Sequence, residues 1–322
     1  MARQMTLEPA EAEMSQRLGA TGGAMDTQTD TDAWPLACPV CDAALRERPG
    51  VLVCPVGHSF DVAKEGYINL LPPQHRARGI EGDALGMLHA RRRFLESGHF
   101  RPLVEKLGAD VERLLQGRVA AGVDSAPRAC VLEVGCGEGY YVGNLAGSLR
   151  DVAGAKTAFV GADLSKSAAR LAAKHYRDVR FVVADVNRRI YLQDETVSVL
   201  LDVFAPRNPA EFARVLEPGG FALVVIPTAL HLGSLRTTLG LLDIQDDKEA
   251  RVCERFEEEF LLVDRGELDY PIELRAEEVS DLVHMGPNHW HRPDDSVRID
   301  GDSIRTAASF VILRFQRRGI AV

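Results

Sequence analysis

The feature that most constrains the fold of this 322-residue chain is a run of three glycines at alternate positions, Gly135, Gly137 and Gly139. The run follows a β-branched segment at residues 130–134 and precedes a helical pattern, so it marks a strand-to-helix turn. Glycine lets such a turn close tightly and lets a ligand approach the backbone without meeting a Cβ atom. The GxGxG spacing, with no Gly-Lys-Ser/Thr ending, disfavours dinucleotide and phosphate loops. It suits a ligand whose amino-acid and ribose parts lie against the loop.

Short β-branched segments alternate with helical patterns along the rest of the chain. The predicted strands lie at residues 130–134, 159–162, 179–184, 197–203 and 221–226, and the predicted helices lie at residues 141–149, 165–176 and 209–216. This alternation predicts an α/β fold with a parallel sheet covered on both faces. We also predict helical structure at residues 236–259 and a last strand at residues 310–315 that closes one edge of the sheet.

Two acidic residues stand at the ends of predicted strands. Asp163 ends the second strand and precedes Ser165, so its carboxylate lies at the carboxyl edge of the sheet and can accept hydrogen bonds from both hydroxyls of a ribose. Asp185 ends the third strand, where it can accept a hydrogen bond from an adenine amino group. The alternatives are a helix N-cap or solvated loop acid for Asp185, and a packing turn in an ordinary α/β domain for the glycine run.

A cluster of potential metal ligands precedes the predicted sheet. Cys38 and Cys41 form a CxxC pair, and Cys54 and His58 complete four ligands within 21 residues. Three thiolates and one imidazole fill a tetrahedral Zn²⁺ shell and leave no position for water, so the predicted zinc is structural. The alternatives are unlinked buried cysteines or a redox CxxC pair. The remaining cysteines are predicted to be small buried residues: Cys130, Cys136 and Cys253.

Charge is unevenly distributed along the chain. The formal net charge of −9 argues against a surface that is basic everywhere. Between Gln74 and Arg101, however, six arginines stand against three acids, which is a local balance of +3. This segment can dock a polyanion, and the alternative is a helix with a solvated basic face.

These patterns divide the chain into four segments. We predict a disordered leader at residues 1–33, a zinc-binding module at 34–73, a helical linker at 74–126 and an α/β domain at 127–322. The longest apolar runs, such as residues 221–227, are far shorter than the roughly 18 to 20 residues that cross a bilayer. No secretory signal opens the sequence. We therefore expect a cytoplasmic protein without a membrane partner.

Several motifs together resemble one enzyme family. The glycines followed by two strand-end acids are similar to class I S-adenosylmethionine-dependent methyltransferases of Rossmann-like fold. More distinctive stretches are CPVC at 38–41, CPVGHSFDVAKEGYINLL at 54–71, GD at 82–83, ARRRFLESGHFRPL at 90–103, VLEVGCGEGYY at 131–141, FAPRNPAEFARVLEPGG at 204–220 and PTALHL at 227–232. With these motifs in this order, the chain resembles the 23S ribosomal RNA (guanine-N1)-methyltransferases, including the branch that gives resistance to tylosin-type macrolides.

The resemblance implies methyl transfer from S-adenosylmethionine to N1 of a guanine in a 23S rRNA hairpin loop, in domain II near the peptide exit tunnel. It also implies a homodimer and an RNA-recognition role for the zinc module. The full set of predicted cofactor contacts is Phe100, Gly135, Gly137, Glu138, Gly139, Asp163, Asp185 and His231. Phe100 departs from the tyrosine that is common at its position. Without the resemblance, His231 is interpreted as a helix-end histidine that caps carbonyls.

Transfer to guanine N1 requires a proton acceptor, because N1 carries a hydrogen. Asp202, at the end of the fourth predicted strand, is the candidate, and a structural acid is the alternative. Phe204 is a candidate for stacking on the base, with a core position as the alternative. The predicted contacts to the RNA backbone are Arg76, Arg78, Arg91, Arg92 and Arg93. Alternatively, these arginines pair with Asp83 or Glu96 and fasten the linker.

Two other functions stay open on the sequence alone. One is a small-molecule methyltransferase that uses the zinc module only as a scaffold, which the net charge of −9 favours. The other is a non-catalytic RNA-binding protein, and the intact glycines and Asp163 count against it. Salt-sensitive binding to an RNA hairpin separates the ribosomal enzyme from the first, and binding of S-adenosylmethionine separates it from the second.

Overall fold

The computed structural model describes residues 34–72, 85–120, 128–149, 157–240, 247–286 and 301–319. The predicted leader, Arg76 and Arg78 lie outside the described residues. The predicted boundaries at residues 73–74 and 126–127 also lie outside them, and these boundaries stay predictions. Within the described ranges, every helix is too short or too polar to cross a bilayer.

The described part of the chain forms eleven strands and eight helices. The strands are β1 (Arg46–Arg48), β2 (Val51–Val53), β3 (Ser59–Asp61), β4 (Ile68–Asn69), β5 (Cys130–Val134), β6 (Ala158–Asp163), β7 (Arg180–Val183), β8 (Val197–Val203), β9 (Leu216–Pro227), β10 (Phe260–Arg275) and β11 (Ser303–Arg317). The helices are α1 (Leu85–Glu96), α2 (Arg101–Ala120), α3 (Tyr140–Leu149), α4 (Lys166–His175), α5 (Pro209–Val215), α6 (Gly233–Leu239), α7 (Lys248–Phe256) and α8 (Ala276–His284).

A mixed eight-stranded sheet organises the fold, with the strand order β10-β11-β9-β8-β5-β6-β7-β4. The neighbours from β9 to β4 are parallel, whereas β11 is antiparallel to both β9 and β10. The five predicted strands are present as β5 to β9 and occupy five adjacent positions. The chain leaves β5 toward β6 and β7 and then returns to β8 on the other side, so the strand order reverses beside β5. Ligands of α/β sheets bind outside the carboxyl ends of the strands at such a switch point.

The prediction that residues 310–315 close a sheet edge was wrong. They belong to β11, which lies inside the sheet between β9 and β10, and residues 308–313 are all buried. The edge strand β10 was not predicted, because its exposed and partly buried positions alternate along much of its length and it carries no long apolar run. The predicted helical stretch 236–259 appears as α6 and α7 in its described parts.

Each face of the sheet packs against one apolar core. The first core gathers side chains of α2, α3 and α4 with those of β11 and α8. The second core gathers α5, α7 and residues of the segment 34–72. Cys130 and Cys136 are buried, as predicted for small apolar residues, whereas Cys253 is only half-buried.

The zinc-binding segment is built onto the sheet. Its leucines Leu36, Leu45 and Leu52 belong to the second core, and β4 pairs in parallel with β7 at the sheet edge. The guanidinium groups of Arg128 and Arg180 stand 5.4 and 5.1 Å from the centroid of the Trp34 ring. Contacts of this kind between arginine and tryptophan are favourable. The segment therefore shares its apolar core with the α/β part of the chain.

Candidate functional site

The four predicted metal ligands converge on one point, with their ligand atoms within 4.8 Å of one another. The sulfur atoms of Cys41 and Cys54 are 3.7 Å apart, and Nδ1 of His58 lies 3.4 Å from the Cys54 sulfur. Nδ1 of His58 also lies 3.6 Å from the Cys38 sulfur. Tetrahedral zinc, with bonds of about 2.3 Å to sulfur and about 2.0 Å to nitrogen, separates its ligands by roughly 3.5 to 3.8 Å. The residues fit a closed zinc site.

Backbone N–H groups support the sulfur ligands. The N–H of Val40 donates to the Cys38 sulfur at 3.4 Å, and the N–H of His58 donates to the Cys54 sulfur at 3.3 Å. Burial raises the pKa of Cys54, but hydrogen bonds led by the one from the His58 N–H lower it to about 6. Because the thiolate is the form that binds metal, these N–H groups favour the metal-binding form of the cysteines.

The glycines after β5 all have left-handed φ values: +60° at Gly135, +54° at Gly137 and +83° at Gly139. A Cβ atom on Gly135 would lie 2.6 Å from the Cβ of Ala205, and one on Gly139 would lie 2.8 Å from the ring of Phe181. Real Cβ atoms do not approach other atoms so closely. Packing therefore requires Gly135 and Gly139 to be glycines. For these two positions the structure agrees with the alternative interpretation of the glycine run as a packing turn.

Gly137 and Asp163 form the candidate cofactor-binding site. A Cβ atom on Gly137 would meet, among the described residues, only the end of the Arg91 side chain, with Nη1 at 3.1 Å. The Gly137 N–H donates to Oδ2 of Asp163 at 2.8 Å, and the Ser165 N–H donates to Oδ1 at 2.7 Å. A carboxylate oxygen accepts more than one hydrogen bond, so these contacts orient Asp163 without excluding a ribose hydroxyl.

Asp185 lies after β7 at the same edge of the sheet, and its side chain contacts residues close to it along the chain. Its Oδ1 accepts the N–H of Asn187 at 3.1 Å, and its Oδ2 is 3.3 Å from Nε of Arg188. This geometry agrees with the loop-acid alternative. A contact to adenine stays a prediction.

One buried glutamate precedes the glycine loop, and another lies within it. Glu133, inside β5, accepts the N–H of Val142 in α3 at 2.8 Å, and burial raises its pKa to about 8. The sequence analysis did not select this residue, although an acid within the apolar run VLEV indicates a buried carboxyl group. Glu138 is 2% exposed, and its Oε2 lies 2.6 Å from Nη2 of Arg92. Burial raises the pKa of Glu138, and Arg92 opposes the shift.

The end of β8 presents an exposed aromatic ring above a buried acid. Asp202 is completely buried, its Oδ1 accepts the N–H of Ala205 at 3.2 Å, and its Oδ2 lies 3.3 Å from Nε of Arg207. Burial raises the pKa of Asp202 to about 7 against the effect of Arg207. Phe204 has a φ of +58°, which is unusual for a bulky residue, and it is 42% exposed. Asp202 thus holds the turn that presents Phe204, which agrees with a structural acid, and its role as proton acceptor stays a prediction.

Phe204 borders a cluster of rings that includes two predicted cofactor contacts. The ring centroids of Phe204, Phe100 and His231 lie 5.5, 5.2 and 4.7 Å from that of Phe310. Nδ1 of His231 accepts the N–H of Ser309 at 3.2 Å, and burial lowers the pKa of His231 to about 3. The ring is therefore neutral and carries its proton on Nε2, which is a donor. The alternative of a histidine that caps a helix end is wrong, because His231 precedes α6 and accepts a hydrogen bond.

The predicted RNA-binding arginines within the described ranges lie on α1 and contact this chain. Arg92 pairs with Glu138, and Nη2 of Arg93 is 2.5 Å from Oδ1 of Asp281 in α8. Arg91 donates to a main-chain oxygen just after α8. These contacts hold α1 against the rest of the chain, in agreement with the alternative that the arginines fasten the linker. The main acidic partners are Glu138 and Asp281, whereas the sequence predicted Asp83 or Glu96. Contacts of the three arginines to RNA stay predictions.

Comparisons with known proteins agree with this geometry. A family model described as RlmA, N-terminal, a zinc ribbon, matches residues 36–78, and one described as methyltransferase domain matches residues 131–220. The chain is 39% identical over 264 residues to the 23S rRNA (guanine(748)-N(1))-methyltransferase of Streptomyces fradiae, which covers 82% of this chain and 89% of that protein. This chain belongs to the 23S rRNA (guanine-N1)-methyltransferase family. Candidate members from Micromonospora griseorubida and Bacillus subtilis (strain 168) are 38% and 31% identical, over 80% and 81% of this chain and 87% and 89% of theirs.

Membership in the methyltransferase family confirms the predicted fold and enzyme class, a Rossmann-like S-adenosylmethionine-dependent methyltransferase with an N-terminal zinc site. The loop of this methyltransferase also fits the cofactor. Gly137 leaves its backbone open to a ligand, and Oε1 of Glu138 is buried without a hydrogen-bond partner in the described part of the chain. A buried acceptor of this kind is costly unless a ligand satisfies it.

Proposed function

We propose that this methyltransferase transfers a methyl group to N1 of a guanine in a 23S rRNA hairpin loop, in domain II near the peptide exit tunnel. The observation that carries the proposal is the pairing of two adjacent strand ends. The glycine loop follows β5, and the exposed ring of Phe204 follows β8, its parallel neighbour. The relative from Streptomyces fradiae is named for methylation of N1 of guanine 748, which supports guanine N1 as the acceptor.

We assign cofactor binding to the loop and its surroundings. Gly135 and Gly139 shape the turn, Gly137 admits the ligand, and Asp163 accepts from the ribose. The other residues of the set are Phe100, Glu138, Asp185 and His231. S-adenosylmethionine supplies a methyl group already activated by a positive sulfur. Much of the acceleration can then come from holding the acceptor in line and excluding water.

Phe204 is the residue that we assign to the target base. A loop guanine is the expected substrate because pairing masks N1 in a duplex. The ring is exposed although it is apolar, and its left-handed backbone conformation costs free energy, as at many functional sites. Asp202 fixes the turn through the Ala205 N–H. We retain Asp202 as the candidate acceptor of the N1 proton, because its raised pKa of about 7 suits a base that works near neutral pH.

The zinc module and the arginines complete the proposal. We assign the module, Arg76, Arg78 and the three arginines of α1 to the hairpin, with Arg93 the most suitable of those three because its side chain is 62% exposed. We further propose a homodimer in the cytoplasm, where ribosomes are assembled. Resistance to a tylosin-type macrolide is the expected phenotype if the modified guanine lies at the drug site.

Primer extension tests the proposal. Wild-type protein incubated with S-adenosylmethionine and 23S rRNA should produce one stop at a loop guanine, because N1 methylation blocks pairing. Gly137→Arg should abolish the stop, and Phe204→Ala should lower kcat/KM for RNA about 10- to 100-fold, since stacking of one base on an aromatic ring is worth about 1–3 kcal/mol. Leu262→Ala, at a residue 40% exposed on β10, is the matched control. Methyl incorporation confined to small molecules would contradict the assignment.

A further inference from the structure

The side chain of Arg91, a residue of α1, lies against the glycine loop. Its Nη1 is 3.1 Å from the position that a Cβ atom would take on Gly137. Its Nη2 donates to the main-chain oxygen of Met285 at 2.8 Å, so one edge of the guanidinium is held by the end of α8. The side chain is half-buried. The group is therefore fixed beside the one glycine of the loop that packing does not fill.

An anionic group stands on the same loop, one residue further along the chain. Nε and Nη2 of Arg92 both contact Oε2 of Glu138, at 2.8 and 2.6 Å. The other oxygen, Oε1, is buried without a hydrogen-bond partner among the described residues. The charge of Arg91 also acts on Glu138, but Arg92 is the stronger influence. Around Gly137 the loop thus offers a guanidinium and an unsatisfied carboxylate oxygen.

We infer that Arg91 binds the carboxylate of the amino-acid end of S-adenosylmethionine, while Oε1 of Glu138 accepts a hydrogen bond from its ammonium group. That end of the cofactor is a zwitterion, so a cation and an anion flanking Gly137 match it in sign. The planar guanidinium suits a carboxylate because its N–H groups form a fork that meets both oxygens. The inference rests on the proposed cofactor site, and it moves Arg91 from the predicted RNA contacts to the cofactor.

A ligand that lacks the carboxylate isolates this contact. Calorimetry on the full-length, zinc-loaded protein would compare S-adenosylmethionine with decarboxylated S-adenosylmethionine, which keeps the sulfonium and the ammonium. Wild-type protein should bind the first about 10- to 100-fold more tightly, as expected for a charge-assisted hydrogen-bonded pair. In Arg91→Gln this ratio should fall to about 3-fold or less, and in Arg91→Lys it should be intermediate.

Arg113→Gln is the matched control. It removes an arginine of α2 whose partner is Asp110, so the ratio should stay at the wild-type value. The ratio of the two affinities is also insensitive to a general loosening of the loop, because such damage weakens the binding of both ligands equally.

The outcomes separate this inference from the proposed function. If the wild-type protein binds neither ligand, the proposed cofactor site itself is wrong. Equal affinities in wild-type protein, or an unchanged ratio in Arg91→Gln, overturn the carboxylate contact and leave the cofactor site standing. An unchanged ratio together with lost affinity for the RNA hairpin would return Arg91 to RNA binding.

Discussion

The zinc knuckle, residues 38–58, and the carboxyl edge of the sheet achieve defined geometry by opposite means. In the knuckle, four side chains point at one place and a metal joins them, while neighbours such as Val40 and Val56 stay 65% and 69% exposed. At the sheet edge, the loop is shaped by missing side chains, because a Cβ atom on Gly135 or Gly139 would overlap its neighbours. One region depends on bonds and the other on close packing, so each should fail under different changes.

The largest effect should come from removal of the metal. Structural zinc contributes apparent binding free energies of about 10–16 kcal/mol to small folded units at neutral pH. Cys41→Ser removes a ligand that is not part of the apolar core, so its effect reports on the metal and not on packing. We expect loss of bound zinc and a lower melting temperature for the whole chain, because the segment shares a core with the sheet.

Zinc release and thermal unfolding measure this effect, and Cys253→Ser is the matched control because that cysteine stands apart from the four ligands. A chelator should reproduce the effect of Cys41→Ser in the wild-type protein. An unchanged melting temperature after chelation would show that packing alone holds the knuckle, and the contrast between the two regions would disappear.

The second prediction tests close packing at the sheet edge. Gly135→Ala places a Cβ atom 2.6 Å from that of Ala205 at a φ of +60°, so overpacking and the left-handed backbone act together. We expect a loss of about 3 kcal/mol in the free energy of unfolding. Gly147→Ala is the matched control, because it lies in α3 with open space around it. There the same change should stabilise the protein by up to about 1 kcal/mol.

Chemical denaturation measures both variants, and the opposite signs are the decisive result. Equal effects at the two glycines would contradict both the overlap with Ala205 and the left-handed strain at Gly135. Zinc content should stay at the wild-type level in Gly135→Ala, since the loop and the ligand cluster belong to different parts of the fold.

The same contrast explains how much of the molecule the sequence predicts. Ligand spacing predicted the four residues whose ligand atoms the fold brings within 4.8 Å of one another, because a metal shell requires particular residues at short intervals. The glycine run and β-branched segments likewise identified β5 to β9. By contrast, the left-handed turn at Phe204 depends on the buried carboxylate of Asp202 and on packing against Gly135. The contact of Arg91 with Gly137 joins residues 46 positions apart, and no local pattern encodes such a pair.

The smallest effect concerns the buried acids and pH. The folded-state pKa of Glu133 is raised from 4.5 to about 8, chiefly by burial. Between these pH values the folded state holds the proton more tightly than the unfolded state, so this residue makes stability fall as pH rises. Glu133→Gln cannot titrate but can still accept the Val142 N–H through its amide oxygen. From pH 5 to pH 8.5, the variant should gain about 1 kcal/mol or more relative to wild type.

Denaturation curves at several pH values measure this difference, with Glu112→Gln on the exposed face of α2 as the matched control. The knuckle should respond with the opposite sign, because protons compete with zinc for thiolate and imidazole and weaken metal binding as pH falls. The chain is then limited by its metal site in acid and by its buried carboxyl groups in base. If Glu133→Gln and Glu112→Gln shared one pH slope, burial would not raise the pKa of Glu133, and this residue would not set the sheet apart from the zinc knuckle in its response to pH.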